Sequence, residues 1–252
     1  LFHGPTCAFK DMALQILPYL LTGAMEIQGI DEQVCILVAT SGDTGKAALE
    51  GFADVENTSV IVFYPKDGVS KIQELQMVTQ RGENVGVCAV YGNFDDAQTG
   101  VKAILTDGEM AEALAAKKIR LSSANSINWG RLAPQIVYYI SGWLDLVKKG
   151  ALQMGEAFNI CVPTGNFGNI LAAYFAKRMG VPVKQLICAS NRNNVLTEFI
   201  ETGLYDRSRP FYQTISPSMD ILISSNLERL LYELSGQNGF EVRTYMKQLS
   251  SA

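Results

Sequence analysis

Six short runs of β-branched and apolar residues recur along the chain: VCILVA (34–39), SVIVFY (59–64), VGVCAVY (85–91), IRLSS (119–123), AFNICVP (157–163) and VKQLICAS (183–190). Between or after them, segments 44–54, 71–81, 95–117, 131–149, 169–179 and 195–202 space their apolar residues at helical intervals. Near-continuous apolar strands alternating with helices indicate parallel strands covered on both faces by crossover helices. The pattern therefore predicts an α/β architecture of doubly wound parallel sheets. A further apolar segment, MALQILPYLLTGAM (12–25), reads as a helix that Pro18 should kink or end. The helix of 131–149 is expected to hold Pro134 in its first turn. IVYYISGWLDLV (136–147) reads as a core-packing face rather than a stacking platform. SNLERLLYELSG (225–236) reads as an amphipathic helix with Asn226 as candidate cap and Gly236 as its stop, and RSRP (207–210) as a solvated basic loop. VKKGALQMGEA (147–157) is the linker-like stretch.

Composition narrows the classes. With 252 residues, 48% of them hydrophobic and 18% charged, the chain can bury a large core as one large domain or two smaller ones. The net charge of 21 − 25 = −4 is spread without blocks of like sign. It gives no footprint for nucleic acid and no polybasic membrane patch. The longest apolar stretch is interrupted by Gln15 and Pro18 and is too short to span a bilayer. The five cysteines are scattered and never form a C-x-x-C pair. Cys35, Cys88 and Cys161 sit inside apolar runs and read as buried free thiols, which suits a reducing, cytosolic setting. With one histidine, His3, a zinc site is not expected, and His3 reads as hydrogen-bonded packing.

Ligands of open parallel sheets gather beyond the carboxyl ends of the strands. Three loops there are polar. After CVP, Thr164-Gly165-Asn166-Phe167-Gly168-Asn169 leads into a helix; its glycines and the helix start suit a phosphate, and an ordinary strand-to-helix turn is the alternative. It is not the G-x-G-x-x-G dinucleotide fingerprint. After ILVAT, SGDTGKAALEGFA opens another helix. It departs from a nucleotide P-loop at Thr40 and at Ala47, so it reads as a second anion-holding turn suited to a carboxylate, or as a cap supplied by Ser41 or Asp43. After IRLSSA, Asn125, Ser126 and Asn128 offer neutral hydrogen bonds and Arg131 a bidentate grip on phosphate or carboxylate; a capped helix with a solvent-facing arginine is the alternative. Lys10, between a Gly-Pro turn and an apolar helix, completes the set. A partly desolvated lysine is a nucleophile whose usual covalent product is a Schiff base, and a lysine with a phosphate cradle fits pyridoxal phosphate.

GPTCAFKDMA, SGDTGKAA, FYPKDGVSKIQELQM, SANSINWGRLAPQIVYY, VPTGNFGNILAAYFAKRMG and SPSMDILISSNLERLLYEL follow in order from residue 1 to about residue 235. Together they resemble the threonine synthases, members of the tryptophan-synthase-type (fold type II) pyridoxal-phosphate enzymes. The resemblance implies that Lys10 carries pyridoxal 5'-phosphate as a Schiff base and moves protons at the substrate's α and β carbons. It implies that Gly165, Asn166, Phe167, Gly168 and Asn169 cradle the cofactor phosphate. Ser41, Gly42, Asp43 and Thr44 would hold the substrate carboxylate, and Asn125, Ser126, Asn128 and Arg131 its phosphate end. The implied reaction converts O-phospho-L-homoserine and water to L-threonine and phosphate. Two interleaved domains are implied, a smaller one of 30–130 and a larger one of 1–29 with 131–252. Family members extend beyond both ends, so the chain reads as a core piece, with the partner of the pyridine nitrogen expected outside it.

Two rival readings stand beside this one. Another fold type II enzyme, a threonine or serine dehydratase or a cysteine synthase, would share Lys10 and the phosphate loop but would not need NSIN…R or SPSMD. A cofactor-free α/β binding domain would leave the loops as caps and Lys10 as a surface lysine. Oligomeric state is not legible in the sequence.

Overall fold

Val34, Ile36 and Val38 belong to one apolar cluster of strand β1 (Gln33–Ala39) and Cys35, Leu37 and Ala39 to another, and all six are buried. A strand buried on both faces cannot alternate apolar with polar residues, which is why VCILVA is continuous. In the computed structural model, which describes residues 3–126 and 128–251, β1 lies inside a four-stranded parallel sheet. Its neighbours are β2 (Thr58–Pro65) and β4 (Ile119–Ser123), with β3 (Val85–Val90) beyond β2. Helices α1 (Asp11–Gln28), α2 (Asp43–Phe52) and α3 (Lys71–Val78) cover one face, where Leu14, Leu17, Leu49, Phe52 and Met77 meet Val34, Ile36, Val60 and Val62. Helix α4 (Phe94–Thr106) covers the other through Ala97 and Val101, and α5 (Gly108–Ala115) follows it. Each strand falls within two residues of its apolar run.

Helix α6 (Trp129–Leu132) and a 3-10 turn (Ala133–Gln135) lead to α7 (Ile136–Lys148). A second parallel pair, β5 (Phe158–Pro163) and β6 (Val183–Ala189), is connected by α8 (Gly168–Arg178). Ile136, Tyr139, Ile140 and Trp143 of α7 pack with Ala176, Val181 and Val183, as the core reading of that segment expects. Helix α9 (Val195–Thr202), a 3-10 turn (Pro217–Met219), α10 (Leu227–Leu234) and α11 (Gly239–Ser251) complete the chain. It divides into two compact units, Leu1–Pro134 and Gln135–Ala252. The boundary falls at the 3-10 turn. Helix α1 groups with the first unit, whereas the family resemblance places residues 1–29 with 131–252. Its apolar face is taken up by α2 and the sheet.

Several local expectations change. Pro18 does not end α1, which runs through it. Proline cannot donate to the carbonyl four residues earlier, and Gly51 of α2 packs against that Leu14 carbonyl so closely that a Cβ at residue 51 would lie 2.1 Å from the oxygen. Segment 95–117 is two helices, because Asp107 leaves the helix and its carboxylate accepts the Met110 amide at 3.0 Å as the cap of α5. Pro134 sits in the 3-10 turn, outside the first turn of a long helix. Cys88 and Cys161 are exposed and only Cys35 is buried, because β3 and β5 border only one strand each. Arg209 of the RSRP loop is not solvated: its guanidinium pairs with Glu198, 3.9 Å from Asp206 and 3.3 Å from Asn194 Oδ1. No helix of the described residues is long and apolar enough to cross a membrane.

Candidate active site

Strands β1 and β4 are neighbours, with Leu37 opposite Ser123. Their carboxyl ends therefore bring the 40–44 and 124–128 loops to the same edge of the first unit. Lys10 reaches this edge from the start of α1. Its Nζ donates to Asp43 Oδ2 at 2.7 Å and lies 5.3 Å from the centre of the Phe9 ring, and only 12% of its side chain is exposed. Burial pushes the ammonium pKa down, Asp43 pulls it back up and Arg131 adds to the lowering. Arg131 is itself buried. Its Nη1 donates to the Ala124 carbonyl at 2.7 Å, and burial brings its pKa down to about 10. The structure thus gathers three sequence candidates, Lys10, Asp43 and Arg131, into one electrostatic group.

What holds Lys10 in place is Asp11, which the sequence reading passed over. Asp11 is buried in the first turn of α1. Its Oδ2 accepts the Thr6 amide at 3.0 Å and the Ala8 amide at 3.3 Å, and its Oδ1 accepts the Thr6 hydroxyl. The Gly-Pro-Thr turn is thereby folded back onto the helix start, where a negative charge is also favoured by the helix dipole.

The SGDTG turn is organised by another unassigned residue, Thr40. Its buried hydroxyl oxygen accepts the amides of Gly42 and Gly45, each at 2.9 Å, so it caps α2 in place of Ser41 or Asp43. Thr44 N donates to Asp43 Oδ1 at 2.9 Å. Several of the amides expected to hold an anion are consequently used within the turn, which leaves the Ser41 amide and the hydroxyls of Ser41 and Thr44. In the next loop, Asn128 is consumed at both ends of its side chain: Oδ1 accepts from Gly130 N at 2.9 Å and Nδ2 donates to the Ser123 carbonyl at 3.1 Å. Asn125 Oδ1 is buried with no donor among the described residues. Ser126 lies beside it in the same loop, and Arg131 is reached through α6.

In the second unit, Thr164–Asn169 joins β5 to α8. Phe167 adopts a left-handed conformation (φ 64°), which a side-chain-bearing residue enters only under constraint. The constraint comes from SSN of the SPSMDILISSN segment. Asn226, fully buried, donates to the Asn166 carbonyl through both its amide (3.1 Å) and Nδ2 (3.0 Å), while Ser225 Oγ lies 3.2 Å from Asn166 Oδ1. Asn226 sits at the cap position of α10 without capping it with its side chain, so its expected role is corrected to that of a clamp. The amides of Gly165, Asn166 and Phe167 have no acceptor among the described residues and precede the N-terminus of α8. A Cβ at residue 165 would lie 2.9 Å from Ile221, so only glycine keeps this backbone in place. Asn169 is engaged elsewhere: Nδ2 donates to buried Gln135 at 2.9 Å, and Oδ1 accepts from Tyr139 OH at 2.6 Å. Burial raises the Tyr139 pKa and keeps it a donor. Gln135 and Tyr139, four residues apart, face α8 together, and nothing in their sequence spacing distinguishes them from core positions.

Comparison with known proteins adds the following. The pattern of the family described as pyridoxal-phosphate dependent enzyme matches residues 1–246. Threonine synthase from Pseudomonas aeruginosa is 48% identical over 239 residues, covering 95% of this chain and 48% of that protein. Human threonine synthase-like 1 is 47% identical over 258 residues, covering 100% of this chain and 34% of that protein. The crystal structure of threonine synthase from Brucella melitensis with pyridoxal phosphate bound superposes with a TM-score of 0.87 at 46% identity, covering 100% of this chain and 52% of that one. The chain thus spans about a third of the threonine synthase-like 1 protein and about half of the threonine synthases it matches.

Proposed function

Since the chain belongs to the pyridoxal-phosphate-dependent enzyme family, we propose that it carries the lysine-bearing part of a threonine synthase, acting on O-phospho-L-homoserine and water to give L-threonine and phosphate. The family's cofactor is pyridoxal phosphate. Each unit, taken by itself, offers a group suited to it: the first a buried amine at Lys10 for its carbonyl carbon, the second an unengaged run of amides at Gly165–Phe167 ahead of a helix start for its phosphate. When bound, it supplies an electron sink for charge that develops beside the substrate amine.

In this reading Lys10 holds and moves protons at the substrate's α and β carbons, and one flexible amine reaches both. The amides of 165–168 bind the cofactor phosphate, Asn166 being held by Asn226, whereas Asn169 steadies the helix start through Gln135 and Tyr139. Ser41 and Thr44 orient the substrate carboxylate with their hydroxyls. Arg131 and Asn125, with Ser126, take the substrate's phosphate end, where a cation stabilises the departing charge; Asn128 shapes that loop. For the longer protein we keep the interleaved division, 30–130 as the smaller domain and 1–29 with 131–252 as the larger.

The observation that carries the reading is the lysine amine, buried beside Asp43 at the carboxyl edge of the sheet. The test is the absorbance of the purified chain mixed with pyridoxal phosphate, beside Lys10→Ala. A visible band that disappears in the variant supports the role of Lys10, and phosphate release from O-phospho-L-homoserine then tests the reaction. A wild-type chain that captures the cofactor but releases no phosphate would reduce the proposal to a pyridoxal-phosphate protein of another specificity.

A further inference from the structure

We infer that Asp43 is the counter-ion and positioning residue of Lys10, holding its amine protonated and aimed until the amine is used, and is not a ligand for the substrate carboxylate. The inference deepens the proposed function and rests on its assignment of Lys10. Two observations and one electrostatic argument support it. The carboxylate lies 2.7 Å from Nζ in a group that is 12% and 15% exposed on its two sides, so the contact is shielded from solvent screening. A second carboxylate brought to Asp43 would meet like charge in the same shielded place. The orientation of Asp43 is fixed, because its other oxygen accepts Thr44 N at 2.9 Å at the start of α2.

The charged groups facing Lys10 are Asp43 from α2 and Arg131 from α6; Asp11, on its own helix, is turned into the preceding turn. Without Asp43, burial and Arg131 would both drive the amine to its neutral form. With it, the proton is retained, and its nearest acceptor is the Asp43 carboxylate when the amine gives it up.

The test needs no cofactor. Competitive acetylation with trace acetic anhydride, against free phenylalanine as internal standard, reads the protonation midpoint of Lys10 from its peptide by mass spectrometry. Asp43→Asn is expected to lower that midpoint by at least about one pH unit, which is about a tenfold rise in relative reactivity below both midpoints. Asp43→Glu, which keeps the charge, is expected to restore most of the difference. A folded Asp43→Asn chain with an unchanged or raised midpoint overturns the inference. Should the Asn variant not fold, Asp43→Ser and the wild type decide: a wild-type Lys10 as reactive at pH 6 as at pH 9 holds no proton and overturns it equally. A shifted midpoint in a chain that never captures pyridoxal phosphate would leave the Asp43–Lys10 coupling intact and remove the cofactor role of Lys10 instead.

Discussion

Asp11 and Asn226 do the same work in different units: each is a buried polar side chain that spends several hydrogen bonds on a loop carrying a candidate functional group. Losing such a residue leaves partly buried amides without acceptors, or a carbonyl without a donor, and that desolvation penalty adds to the modest net value of the bonds. Asp11→Ala is expected to lower stability by about 2–3 kcal/mol in urea titration. Asn226→Ala is expected to cost about 1–2 kcal/mol and to weaken capture of pyridoxal phosphate several-fold, read by fluorescence titration. The helical circular dichroism should be unchanged, because Asn226 does not cap α10 with its side chain. At this scale the sequence was legible for the candidate groups. Lys10, Asp43 and Arg131 were singled out by type and place and lie together in the structure, whereas their supports carry no pattern. A carboxylate after a lysine or a glutamine before an apolar helix reads as surface until its partners are known.

Elements were more legible than their joins. All six apolar runs are strands, because a strand buried on both faces must be apolar throughout. That Pro18 does not end α1 was not legible, because its cost depends on what meets the freed Leu14 carbonyl, and that neighbour, Gly51, is far away in sequence. Gly51→Ala would press a methyl group onto backbone and is expected to destabilise the chain by about 1–3 kcal/mol. Gly23→Ala, in α1 and with open space around it, is expected to stabilise by about 0.5–1 kcal/mol in the same denaturation assay. Thr40→Val keeps the shape and removes the oxygen that caps α2. It is expected to cost about 1–2 kcal/mol in that assay, with Ser41 unable to compensate.

For the whole molecule, buried Lys10 links stability to pH. Its folded pKa lies below the ordinary lysine value of 10.5. Between the two values the unfolded chain binds the extra proton, so unfolding free energy rises with pH in that window and is flat, at its less favourable level, below both. The difference between wild type and Lys10→Met, followed by urea denaturation from pH 7 to about 10.5, is expected to rise with pH. A difference that falls over this range would reverse the sign assigned to burial.

The sequence by itself determined the parallel α/β class, the order of the strands along the chain, the lysine that precedes the first helix and the glycine-bearing loop, because each depends on periodicity or on residue type at a fixed local spacing. Only the tertiary structure decided which side chains support them. Asp43, a candidate substrate ligand, pairs with Lys10, the side chains of Asn128 and Asn169 are engaged in protein contacts, and Thr40, Asp11 and Asn226 emerged as the residues that set the loops. The physical reason is common to all of them. A polar side chain has one set of donors and acceptors, and whether that set is spent on the chain or left for a ligand depends on neighbours that are as many as 60 residues away.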